Sequence, residues 1–152
     1  MPPAPAVAPS ARACRPAPLA AELRIALMRS VRRIRQEKSS EALSDGQYSV
    51  LAWLDARGPM TPGELADAEH VQPPSMTRTV NALVDAGLAE RTGHPDDKRQ
   101  VLVAITDTGR REVAETRKRR DAWLAQRLAD LTPQEREVLA RAAEILRRVV
   151  AP

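Results

Sequence analysis

A chain of 152 residues, 43% of them hydrophobic, is long enough for one domain and one core and too short for two; with no Phe and only Tyr48, Trp53 and Trp123 as aromatics, that core must be built from Leu, Val, Ile, Ala and Met. A net charge of +4 and a pI near 10.0 point towards a nucleic-acid partner. Cys14 is the only cysteine, which excludes an intrachain disulfide and suits a reducing cytoplasm, and no apolar run approaches the length of a membrane span.

Residues 1–18 are Pro/Ala-rich and are expected to form a disordered tail, with too many prolines for a helix or a packed strand. No charged leader precedes this stretch, so it does not read as a signal peptide. Cys14 lies in it, either as an oxidation-sensing thiol or as an exposed cysteine without a task; no second cysteine is present to resolve a sulfenic acid. From Leu19 to about Lys38, Leu19, Leu23, Leu27, Val31 and Ile34 step by three or four and mark an amphipathic helix. Arg24, Arg29, Arg32, Arg33 and Arg35 occupy its other face, which reads as solvated.

Ser44-Asp45-Gly46-Gln47 has the form of a capping box and opens a helix that Arg57-Gly58-Pro59 ends. Thr61-Pro62-Gly63-Glu64 repeats the signature for a short helix over 62–69, and the turn His70-Val71-Gln72 leads to a further helix starting near Pro73 or Pro74. Two short helices joined by a tight turn make a helix-turn-helix. In the second, Met76, Val80, Leu83 and Val84 define the buried stripe, while Pro74, Ser75, Arg78, Asn81 and Ala82 lie opposite, with Thr77 and Thr79 at the margins. No acidic residue stands between Val71 and Val84, so a polyanion meets no repulsion there.

Gly87 is placed to close this helix. Leu88–Thr92 and Val101–Ile105 then read as strands joined by a polar turn that presents Lys98 and Arg99. Thr106-Asp107-Thr108-Gly109 starts a long helix to about residue 130, and Thr132-Pro133-Gln134-Glu135 opens a last one with Val138, Leu139, Ala142, Ile145, Leu146 and Val149 as its stripe. The expected fold is mainly α with a small β-hairpin wing: a winged helix-turn-helix over 44–106, flanked by an N-terminal helix over 19–43 and C-terminal helices over 107–150, with 19–150 as one folded unit. The stripes of the flanking helices find no burial in so small a domain, and a second copy would cover them.

The charge distribution complicates a simple nucleic-acid reading. Residues 44–108 hold 5 Lys/Arg against 10 Asp/Glu, whereas 19–43 hold 6 against 3 and 109–150 hold 11 against 7. The case for DNA therefore rests on where a few cations sit. Catalytic alternatives lack their signatures: His70 and His94 show no metal-ligand spacing, there is no Gly-rich phosphate loop and no G-x-S-x-G, and Asp96-Asp97 lies in a turn beside cations. Neither an enzyme, a metal nor a cofactor is expected.

Taken in order, Met60-Thr61-Pro62-Gly63-Glu64-Leu65-Ala66, Pro74-Ser75-Met76-Thr77-Arg78-Thr79-Val80, Leu83-Val84-Asp85-Ala86-Gly87-Leu88, Asp96-Asp97-Lys98-Arg99-Gln100-Val101-Leu102-Val103 and Ile105-Thr106-Asp107-Thr108-Gly109 resemble the MarR/SlyA family of bacterial transcription regulators. The resemblance spans about residues 19–150, with Ile105 where the family carries Leu. It implies a homodimer joined through its terminal helices, binding a pseudo-palindromic operator in double-stranded DNA. By position, Ser75, Thr77 and Arg78 face the major groove, with Arg78 suited to guanine O6 and N7; Pro74 and Asn81 share that face. Arg99 matches the family's minor-groove arginine, Asp97 is placed to hold it, and Lys98 adds a phosphate contact. The family further implies a small aromatic or phenolic effector, for which Met28, Tyr48, Trp53 and Met60 are the candidate lining residues against their plainer reading as core.

The function expected is a dimeric, cytoplasmic, sequence-specific DNA-binding repressor that is nucleoid-associated when bound. A winged-helix module that binds a protein partner is the main alternative, and a small-molecule-binding protein with degenerate DNA contacts is a third.

Overall fold

The computed structural model describes residues 10–11, 13–37, 43–93 and 100–150. The wing tip, His94 to Arg99, falls outside them, and with it the expectations for Asp97, Lys98 and Arg99. By its internal contacts the chain divides into residues 1–36 and 37–152.

The first unit is helix α1, Pro16–Arg35. It starts three residues before Leu19, inside the stretch expected to be a helix-free tail. The reason is local: Pro16 stands in the first turn, where a missing N–H costs no hydrogen bond, and its fixed φ already suits a helix. None of its residues is buried, and Leu19, Leu23, Leu27 and Val31 are exposed along one side.

The second unit is built from α2 (Asp45–Arg57), α3 (Pro62–Ala68), α4 (Pro73–Asp85), β1 (Ala89–Gly93), β2 (Val101–Ile105), α5 (Asp107–Ala129) and α6 (Pro133–Val150). Capping boxes open α2, α3 and α6. Ser44 Oγ accepts from Gln47 N at 3.2 Å while Gln47 Oε1 accepts from Ser44 N at 2.8 Å; Thr61 with Glu64, and Thr132 with Glu135, repeat the exchange. Each such cap contributes about 1 kcal/mol by satisfying N–H groups that the helix leaves open.

The core lies where α2, α3, α4, the hairpin and the start of α5 meet. Leu51, Leu54, Leu65, Met76, Val80, Leu83, Val103 and Val113 are its most deeply buried members, each contributing about 1.5–3 kcal/mol on removal from water. β1 and β2 pair antiparallel with Ala89 opposite Ile105 and Gly93 opposite Val101. Met60 adds a bridge to the far side of β2, donating to Val103 O at 3.0 Å and accepting from Val103 N at 2.8 Å.

The junction of α4, hairpin and α5 is tightly specified. Gly87 takes φ 68°, and with Gly87 N donating to Val84 O and Leu88 N to Leu83 O, each at 2.9 Å, α4 ends in a Schellman motif. Leu88 is thereby used as part of the helix cap, so β1 begins one residue later than its apolar pattern suggests. Thr106 gathers the pieces: its hydroxyl donates to Gly87 O at 2.8 Å and accepts from Gly109 N at 3.1 Å, and its N–H donates to Leu88 O at 3.1 Å. A Cβ on Gly109 would lie 2.2 Å from Leu88 O, which accounts for glycine at that position.

Candidate nucleic-acid interface

Helices α3 and α4 are joined by a turn in which His70 holds φ 52°. Val71 N donates to Ala66 O at 3.0 Å and His70 N to Asp67 O at 3.2 Å, so the turn repeats the Schellman pattern with histidine in the left-handed position. Glu69 anchors it: Oε1 accepts from Ser49 Oγ at 2.6 Å and from Trp53 Nε1 at 2.7 Å, tying the turn to α2.

Helix α4 buries Met76, Val80 and Leu83, and this fixes which side faces out. Pro74, Ser75, Thr77, Arg78 and Asn81 are all exposed, and its first turn contains no acidic residue. Thr77 Oγ1 donates to Pro73 O at 3.0 Å, which leaves its lone pairs and methyl group outward. Among the described residues the side chains of Ser75 and Arg78 take no protein partner. An arginine without a carboxylate partner keeps all five donors for an incoming group.

Several of the acidic residues that give 44–108 its negative balance are absorbed elsewhere. Glu64 caps α3, Glu69 holds the turn, and Asp55 receives Arg117 Nη1 at 2.9 Å and Arg110 Nη1 at 3.4 Å from α5. Asp85 stands in the last turn of α4, at the opposite end from the Pro73–Arg78 turn.

Sequence patterns did not single out Arg91. It lies on β1, exposed, and its Nη2 donates to Asn81 Oδ1 on α4. Only the strand's placement against α4 brings the two together.

The four candidate effector-lining residues are divided between the two units, Met28 in the first and Tyr48, Trp53 and Met60 in the second. Met28 is 67% exposed on α1, in the first unit, and Met60 is 7% exposed in the core of the second. Tyr48 and Trp53 are half-buried on different sides of α2: the Arg120 guanidinium lies 4.1 Å from the Tyr48 ring, whereas Trp53 faces Glu69 and carries Arg57 at 4.5 Å. Within the second unit a cavity of about 320 Å³ is lined by Leu43, Gln47, Ala82, Leu83, Ala86, Leu88 and Glu112. Among the described residues there is no group of three or more His, Cys, Asp or Glu placed to hold a metal ion, and no helix is long and apolar enough to cross a membrane.

Comparison with known proteins agrees with this geometry. Residues 43–101 match the model of the MarR family. The HTH-type transcriptional regulator MT0903.1 of Mycobacterium tuberculosis is 44% identical over 132 residues, covering 87% of this chain and 92% of the relative. Among solved structures, wild-type apo MarR from E. coli superposes with a TM-score of 0.74 at 27% identity, covering 90% of this chain and 100% of that one. A mutant of the same protein complexed with operator DNA gives 0.66 at 27% identity over 89% and 95%. The chain thus belongs to the MarR family of winged helix-turn-helix, DNA-binding transcriptional regulators.

Proposed function

We propose that the protein is a homodimeric repressor that binds a pseudo-palindromic operator and releases it on binding a small aromatic or phenolic effector. The observation that carries the DNA side of this reading is the outward face of α4, free of acidic residues and carrying Arg78 without a protein partner among the described residues. Thr77 offers a methyl and acceptors and Arg78 a bidentate donor fork, the complement of a thymine–guanine edge pattern in the major groove. Arg99 and Lys98, with Asp97 beside them, supply the minor-groove and backbone contacts from the wing.

Support for a dimer comes from the apolar stripes of α1 and α6. Leu19, Leu23, Leu27 and Val31, and Val138, Leu139, Ile145 and Val149, stay exposed in the single chain, a pattern that calls for a covering surface. Two copies related by a twofold axis place their α4 helices in successive major grooves about 34 Å apart. Work of this kind needs neither cofactor nor catalytic group, and it belongs to the cytoplasm, at the nucleoid when DNA is bound. The relatives are named as transcriptional regulators, and E. coli MarR has been crystallised on its operator, which favours DNA over a protein partner.

The test is titration of a promoter fragment selected from the source genome with wild type, Arg78→Ala and Arg99→Ala. Arg78→Ala is expected to cost about 1–3 kcal/mol and to relax base preference at one position of each half-site. Arg99→Ala weakens binding chiefly at sites with a narrow minor groove. Unchanged affinity in both variants overturns the docking, and retention of a protein partner by variants that bind no DNA would favour the interaction-module reading.

A further inference from the structure

The contact between Asn81 and Arg91 assigns a task to two residues that a base-reading helix does not by itself explain. Arg91 Nη2 donates to Asn81 Oδ1. A guanidinium has no acceptor, so the amide must turn its oxygen to Arg91, and what remains outward is Nδ2 with its two N–H groups beside the remaining N–H groups of the guanidinium. The pair therefore faces outward chiefly with donors, Oδ1 keeping one lone pair beside the bond it accepts. It also keeps its positive charge, because no carboxylate pairs with Arg91 among the described residues. Glu90, next in sequence, projects from the other side of the strand by the alternation of the pleat.

Asparagine reads adenine by using donor and acceptor together, and here the acceptor oxygen is held towards Arg91. Position argues the same way. Asn81 stands in the C-terminal half of a helix that spans Pro73–Asp85, about 12 Å along the axis from Pro73 at 1.5 Å per residue. That is about the width of the major groove, so a helix that enters with its first turn among the bases brings Asn81 to the opposite wall, where the sugar-phosphate backbone runs.

We infer that Asn81 and Arg91 form a donor-rich clamp for a backbone phosphate of the operator, built across α4 and β1. Arg91 carries the charge and Asn81 is both its positioning partner and a second donor. Such a contact sets the register of α4 in the groove without reading sequence. The inference rests on the proposed docking of α4, and the two are separable by experiment.

The experiment measures affinity of the full-length protein for its selected operator and for the same duplex with half-site bases exchanged, over a series of salt concentrations. Arg91→Gln removes one cation. It is expected to lower affinity for both duplexes by the same factor, on the order of tenfold, and to reduce the salt slope by about 0.9. Asn81→Asp keeps the hydrogen bond to Arg91, so the fold is retained, but it neutralises the cation and faces the phosphate with a carboxylate; it is expected to reproduce both effects. Arg91→Lys keeps the slope. A salt slope unchanged in Arg91→Gln and Asn81→Asp, with circular dichroism showing both folded, overturns the clamp, as does a loss confined to particular bases. If wild type discriminates the operator and Arg78→Ala loses that discrimination, the docking stands whatever the Arg91 result. If wild type itself shows no preference, both fall.

Discussion

Gly109 and Arg78 illustrate two ways in which one residue decides the behaviour of this protein. At Gly109 the constraint is steric: a methyl group would meet Leu88 O at 2.2 Å and Ile105 Cγ1 at 2.8 Å, and the first of these is backbone that Thr106 already holds in place. Gly109→Ala is expected to destabilise by about 2–3 kcal/mol, the usual scale for overpacking a closed site. Urea denaturation reads this as a lowered midpoint; Gly46→Ala, with nothing within 4 Å of the added Cβ, is the control expected to leave the midpoint unchanged or raise it. A Gly109→Ala midpoint equal to wild type would show that the α4–hairpin–α5 junction yields. Gly109 was legible in the sequence only as one letter of a family pattern, because its reason lies in a carbonyl distant in the chain. Arg78 was legible outright, since a helical period and the lack of nearby acids suffice to place it outward. Arg91 was not: a strand of five residues does not disclose which helix its side chains meet.

Elements were read correctly where the signal is local and chemical. All three capping boxes are present, and α2 ends at Arg57 ahead of Gly58 as the breaker pattern suggests. The misplacements have local causes too. Prolines at 16 and 18 argue against a helix by composition, yet the first turn tolerates them, and Leu88 fits the apolar pattern of a strand, yet its N–H closes the helix before it. The Met60–Val103 bridge left no mark in the sequence, being a product of how α2, α3 and β2 pack. One cap also carries a pH signature. Glu135 accepts from the Thr132 N–H and hydroxyl, and these bonds hold its carboxyl below its ordinary value of 4.5. Because the folded value lies under the unfolded one, the cap's contribution is complete above 4.5 and is lost as the pH falls through the lowered value. In Glu135→Gln the amide still accepts these bonds but does not titrate. Acid titration followed by circular dichroism should show wild type losing helical signal below 4.5 more steeply than the variant; parallel curves would remove Glu135 from the account.

At the scale of the whole molecule, length and composition indicated one core and a helical fold, and the motifs in order indicated the family. The exposed apolar stripes of the flanking helices were also legible, from their helical spacing and the small size of the winged region. α1 and α6 bury none of their residues, which suits the proposed assembly of two copies on one operator. Net charge misleads at this scale, since the winged region 44–108 is acidic in sum while the proposed interface lies on a face of α4 whose first turn carries no acidic residue. The most direct measurement of the central claim is titration of a selected operator duplex and a scrambled duplex of equal length at one fixed physiological salt concentration, with stoichiometry read at saturation. The account predicts two chains per operator and a preference of at least about a thousandfold over the scrambled sequence. Equal affinity for the two duplexes, or saturation with one chain bound, would contradict it.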